Sequence, residues 1–189
     1  MTTISVIGLG NIFLGDDGFG PVAIESFRCE YEWPPHVDVL DLGTPGLDLA
    51  PYLYDKELVV MVDAVHADAA VGTLSIFQEE DFVSQRAKLR ITGHDPGLWE
   101  TLAHLRLAGH APSELIIVGV NPKACNFADG ISDEVWSTAS RASEMIAILL
   151  LERGIACFPR RKPGVPNLWW LRMLSADSSA ELPGASTNA

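Results

Sequence analysis

Asp17, Asp63 and His94 are the side chains of this 189-residue chain whose types suit one piece of chemistry together. Two carboxylates and an imidazole make an oxygen, oxygen, nitrogen donor set. Three protein ligands with an open fourth position are the ordinary arrangement of a catalytic metal site, and carboxylate with imidazole suits zinc or nickel. His94 directly precedes Asp95 and Pro96, an N-cap and a first-turn proline that open a helix. The positive end of that helix favours neutral imidazole, the form that binds metal. A plainer account exists for each residue: an Asp after a strand is often a cap or turn former, and a His before a helix often serves backbone groups.

The first acid lies in GLGNIFLGDDGFG, from Gly8 to Gly20, which opens like a phosphate-binding loop. The dinucleotide fingerprint needs its third glycine where Phe13 stands, and a P-loop needs a lysine that this loop lacks. Asp16 and Asp17 would also repel a pyrophosphate by about several kcal/mol at contact distance. Nucleotide binding survives only as an alternative, with Asp41 imitating the ribose-binding acid. Nor do Asp16 and Asp17 suit a proton-sharing dyad, because sequence neighbours usually point apart. One of them is better read as a ligand and the other as a cap or orienting residue.

The elements that must position these groups alternate. Ile4 to Ile7, Val37 to Leu40, Leu58 to Val62 and Leu115 to Val120 are apolar strand candidates, the last two nearly continuous, as in a sheet covered on both faces. Thr73 to Phe77 adds a shorter strand at an edge. One helix runs from Asp95 to the stop signal Gly109. Another starts at Ser132, with Ile131 and Trp136 as a staple and Gly154 after its last turn. Val135, Ala139, Ala142, Ile146 and Leu149 form its buried stripe. The expected fold is α/β: a three-layer αβα sandwich around a mostly parallel twisted sheet of about five strands, phosphorylase/hydrolase-like. Such sheets bind ligands outside the carboxyl ends of their strands. The first-strand loop, Asp41 with LGTPG, Asp63, and Asn121 with Pro122 all fall there.

Composition narrows the partners. Hydrophobic residues are 48% and charged residues 20% of the chain, the usage of a folded protein, and the net charge of -12 excludes a nucleic-acid partner. The N-terminus lacks the pattern of a signal peptide, and the longest apolar run, Met145 to Leu151, is too short to span a bilayer. Cys29, Cys125 and Cys157 form neither a CxxC pair nor a disulfide pattern. A cytoplasmic monomer without membrane insertion is the expectation. Residues 1–159 read as a single domain, and 160–189, with prolines, a Trp pair and a polar end, as a partly flexible tail. Trp169 and Trp170 are expected to dock on their own domain.

With these residues in view, GLGNIFLGDDGFGP, VVMVDAV, GHDPGL and LIIVGVNP, in this order and spacing, resemble the hydrogenase maturation proteases. VLDLGTPGLDL after the second strand fits as well, and the resemblance runs from Met1 to about Phe158. It implies an endopeptidase that removes the C-terminal extension of a nickel-iron hydrogenase large-subunit precursor after nickel insertion. The family's acid, acid and histidine fall on Asp17, Asp63 and His94, as metal-binding and catalytic residues. Asp41, Gly43, Thr44 and Gly46 become candidates for gripping the substrate tail. The nickel would come with the substrate, zinc or cadmium could replace it in a crystal, and no organic cofactor is required. The first acid is often glutamate in that family, one methylene longer than Asp17. The metal could polarise the scissile carbonyl or activate water, or serve recognition alone while Asp17 or Asp16 acts as base. A non-catalytic α/β module that binds a nucleotide or a metallated partner is the rival reading.

Overall fold

A strand that is apolar at successive positions must be covered on both faces, and Leu58–His66 is buried at every position but the last. The computed structural model describes residues 3–84, 89–91 and 95–170. Its strands are β1 (Ile4–Leu9), β2 (Tyr31–Glu32), β3 (Val37–Gly43), β4 (Leu58–His66), β5 (Leu74–Gln78), β6 (Arg90–Ile91), β7 (Glu114–Val120) and β8 (Phe158–Pro159). Its helices are α1 (Phe19–Glu30), α2 (Ala50–Leu53), α3 (Glu79–Ser84), α4 (Asp95–Ala108), α5 (Asp133–Trp136) and α6 (Ala139–Glu152). The main sheet runs β3-β1-β4-β7-β5. Its first four strands are parallel, and β5 closes one edge antiparallel to β7. Short β6 extends β4 at Val65 and His66, while β2 pairs with β8 apart from this sheet.

Side chains alternate across the sheet and build two cores. Val6, Val60, Val62, Ile116 and Val118 meet Phe27 of α1 and Ile146 of α6 on one face. On the other, Ile7, Val59, Met61 and Ile117 meet Leu53 of α2 and Leu98, Leu102 and Leu105 of α4. Each such buried side chain contributes roughly 1.5–3 kcal/mol, so the sheet is held from both sides. The three-layer, mostly parallel α/β fold expected from the sequence is the fold observed.

Three local expectations differ. Pairing with β7 through Ala64, and with β6 beyond it, carries β4 on to His66, so Asp63 lies inside the strand rather than after it. Asp41 likewise falls inside β3, which pairs with β1 as far as Gly43 across a register shift between Gly8 and Leu9. The helix expected from Ser132 to Gly154 is divided, because Ser137 and Thr138 turn their hydroxyls onto the carbonyls of Glu134 and Val135. Ser132 makes no side-chain cap. Its hydroxyl is taken by Asp16.

Residues beyond β8 pack along α1. The Arg160 N–H donates to the Glu30 carbonyl at 2.7 Å, the Gly164 N–H to the Cys29 carbonyl at 3.0 Å, and the Asn167 N–H to Glu25 at 3.3 Å. Trp170 is 2% exposed in the α1/α6 core, whereas Trp169 is 49% exposed. The three cysteines are free thiols. Among the described residues no helix is long and apolar enough to cross a membrane.

Candidate active site

The chain leaves β1 through Gly10, whose φ of +135° admits only glycine, and a Cβ there would lie 1.8 Å from the Asp17 carbonyl oxygen. The loop therefore folds back on itself. A 3-10 turn, Gly15–Gly18, then carries Asp16 and Asp17 straight into α1. At Gly20 a Cβ would come within 2.0 Å of the Leu9 carbonyl oxygen and 2.6 Å of that of Val62, so the first turn of α1 rests on the backbones of β1 and β4. These glycines serve close packing; their spacing needs no phosphate to explain it.

The adjacent acids have different surroundings. Asp16, 1% exposed, accepts from the N–H groups of Lys123 at 2.7 Å, Ala124 at 3.4 Å and Ser132 at 2.7 Å, and from the Ser132 hydroxyl at 3.0 Å. An ionised carboxylate, an acceptor only, suits four donors. Asp16 thus clamps the loop after β7 to the loop after β1. Asp17, 2% exposed, accepts from the Asn11 N–H at 2.8 Å.

Asp63 is fully buried, and its Oδ1 accepts from the Ala64 N–H at 2.7 Å. It stands opposite Gly119 of β7 and shares strand parity with Met61 and Val65, which puts it on the face covered by α4. The turn bearing Asp16 and Asp17 packs against β4. Burial first, then the charges of Asp17, Asp16 and Asp63, push the Cys125 thiol up to about 12, against a backbone N–H at Asp17. The turn bearing Asp17 thus lies beside the strand bearing Asp63, at the carboxyl ends of β1 and β4. His94 lies outside the described residues. Among the described residues no three His, Cys, Asp or Glu side chains are grouped to hold a metal ion.

Beside the acids opens a cavity of about 430 Å³, lined by Gly10, Asn11, Ile12, Phe13 and Pro21 on one side and by Asp41, Gly43 and Thr44 on the other. The Gly10 N–H donates to the Gly43 carbonyl at 2.9 Å and joins the two walls. Asp41 is open to water yet crowded by protein, and that partial desolvation raises its pKa against the Gly43 N–H and the Arg28 charge. Asp41, Gly43 and Thr44 thus line one cleft. Gly46 instead backs onto Gly97 in the first turn of α4, where a Cβ on Gly97 would meet the Gly46 carbonyl carbon at 3.2 Å.

Asn121 has a scaffolding task. Its Oδ1 accepts from the Ala67 N–H at 3.0 Å and its Nδ2 donates to the Ala69 carbonyl at 2.6 Å, which holds the turn after β4. Sequence reasoning missed Cys125 and Ser132. Ser132 carried the signal of a helix cap, and nothing in the chain links it to an aspartate 116 residues away.

Fold and site together define an α/β protein with buried acids and an open cleft at the carboxyl ends of parallel strands. The chain belongs to the hydrogenase maturation protease family: residues 21–148 match that family's model. It is similar to the hydrogenase 2 maturation protease of Escherichia coli K12, 32% identical over 158 residues that cover 83% of this chain and 96% of the relative. The hydrogenase maturating endopeptidase HybD from E. coli superposes with a TM-score of 0.76 at 32% identity, over 83% of this chain and 97% of that one. The maturation protease HybD from Thermococcus kodakarensis superposes with a TM-score of 0.63 at 27% identity, over 77% and 97% respectively. The chain is accordingly an enzyme, a peptidase.

Proposed function

We propose that this protein cleaves the C-terminal extension from a nickel-iron hydrogenase large-subunit precursor after nickel insertion, in the cytoplasm. Asp17, Asp63 and His94 engage the nickel carried by that substrate. The observation that supports this most is the burial of Asp17 and Asp63 on a turn and a strand that pack together, next to an open cleft at the carboxyl ends of the strands. An extended tail fits that cleft, with Asp41, Gly43 and Thr44 along its wall.

Hydrolysis adds a water oxygen to the scissile carbonyl carbon and breaks the bond to nitrogen, which leaves protonated. The site must stabilise the developing oxyanion and accept a proton from water. The substrate's nickel supplies positive charge for the first task, and a carboxylate of Asp17 or Asp63 supplies the acceptor. Cys125, held as a neutral thiol, is no nucleophile at neutral pH.

The test mixes the full chain with precursor, with and without nickel, and follows the precursor's mass. Mass loss confined to the nickel-loaded form, abolished by Asp17→Asn, Asp63→Asn and His94→Ala in folded protein, supports the reading. Unchanged mass with stable association would instead make the protein a binding module. Full processing by any one variant removes that residue from the site.

A further inference from the structure

Two phenylalanines flank the candidate site where water would disfavour them. Phe127 is 79% exposed on the turn after β7, and Phe13 is 38% exposed at the wall of the cleft. A lone exposed apolar residue requires no explanation. These two lie on segments that are bonded together, because the Ala128 N–H donates to the Phe13 carbonyl at 2.9 Å and the Gly15 N–H to the Asp129 carbonyl at 3.1 Å.

The turn that displays Phe127 is fixed. Ala128 is held at φ +64°, a strained angle for a residue with a Cβ, and Asn126 Nδ2 donates to Asp129 at 3.0 Å. The Asp16 clamp secures its start at Lys123 and Ala124. A strained, rigid turn that holds an aromatic ring in solvent at the edge of a cleft is pre-organised for docking, because little freedom is left to lose on contact. Exposed acids follow it in the chain at Asp129, Asp133 and Glu134, the last paired with Lys123 at 2.9 Å, and Asp41 shares the cleft wall with Phe13.

We infer that Phe127, with Phe13, is a docking contact for the precursor protein: an apolar patch flanked by basic residues, next to the precursor's C-terminal extension. This rests on the peptidase reading and extends it from the bond that is cut to how the protein substrate is held. Phe127 touches no reacting atom, so its contribution belongs to affinity.

The experiment uses the full chain and nickel-loaded precursor, with Phe127→Ser and Phe127→Leu beside the wild type. Processing is followed by mass, binding by titration calorimetry and folding by thermal unfolding. Phe127→Ser should raise KM and Kd by about tenfold or more while kcat stays within about twofold, and Phe127→Leu should restore most of the affinity. The melting temperature should not move. Binding and processing by Phe127→Ser equal to wild type would overturn the inference and leave the peptidase reading intact. A fall in kcat with affinity unchanged would also overturn it. If wild type binds without cleaving and Phe127→Ser weakens that binding, the docking contact stands and the peptidase reading falls; no binding by wild type sinks both.

Discussion

Neighbouring acids with separate duties can be separated by one conservative substitution each. In Asp16→Asn the amide oxygen replaces only one carboxylate oxygen. Set at Oδ2, it keeps the Lys123, Ala124 and Ser132 hydroxyl donors and turns its NH2 toward the Ser132 N–H. Two buried donors then face each other. At about 1–3 kcal/mol for each unsatisfied group, and with the charge removed from the remaining bonds, the cost is about 3–5 kcal/mol. For a chain of this length that lowers Tm by about 10 °C. In Asp17→Asn the amide oxygen still accepts from the Asn11 N–H. Its expected cost is smaller than that of Asp16→Asn. Thermal unfolding and precursor processing on both variants therefore cross: Asp16→Asn melts early but cleaves when cold, whereas Asp17→Asn melts near wild type and does not cleave. Early melting of Asp17→Asn with an undisturbed Asp16→Asn would refute the division of labour.

Other outcomes follow from contacts away from the acids. Trp170→Ala should cost about 3–5 kcal/mol, read by urea unfolding, whereas Trp169→Ala, half exposed, should stay within about 1 kcal/mol; equal effects would mean that the segment after β8 is not docked as described. Arg153 donates to both carboxylate oxygens of Glu114 and lowers its pKa from the ordinary 4.5. A lowered folded value adds stability that is complete above the unfolded pKa and fades as pH falls through the folded one. Wild type should therefore exceed Glu114→Gln by at most about 1 kcal/mol at pH 7, with the gap closing below pH 4.5; a gap that widens in acid has the wrong sign. Cys125→Ala should process precursor within about threefold of wild type, since a thiol pushed up to about 12 contributes almost no thiolate at neutral pH. Loss of processing to background would demand a role for the sulfur.

The layers were legible because their signals are local. Val59, Val60, Met61 and Val62 name a strand covered on both faces, and Gly109 and Gly154, at φ +78° and +77°, stand where the sequence placed helix ends. Asp41, Gly43 and Thr44 could be picked out because they stand together at the carboxyl end of β3 and so share one wall of the cleft. Strand ends were less legible. The apolar run that defines β4 stops at Val62, but its pairing with β7 and β6 continues to His66, and pairing is a property of the partner strand.

The identity of the structural acid was hidden for a related reason. Nothing within GLGNIFLGDDGFG distinguishes Asp16 from Asp17, since both sit in the same 3-10 turn and both are buried. What separates them is the segment from Lys123 to Ser132, more than 100 residues later, which presents three N–H groups and a hydroxyl to one carboxylate. Backbone donors carry no sequence signature, so any residue types could line that segment and still make the clamp. Ser132 alone left a mark, and it pointed to a helix cap. The clamp also fixes the turn bearing Cys125 and Phe127, so weakening Asp16 should disturb the docking surface and the stability together. Asp16→Asn should therefore raise KM for precursor even at temperatures where it is fully folded, while Asp17→Asn leaves Kd for precursor lacking nickel unchanged. Titration of both variants at low temperature measures this directly, and an Asp16→Asn protein with wild-type KM would show that the turn keeps its shape without the clamp.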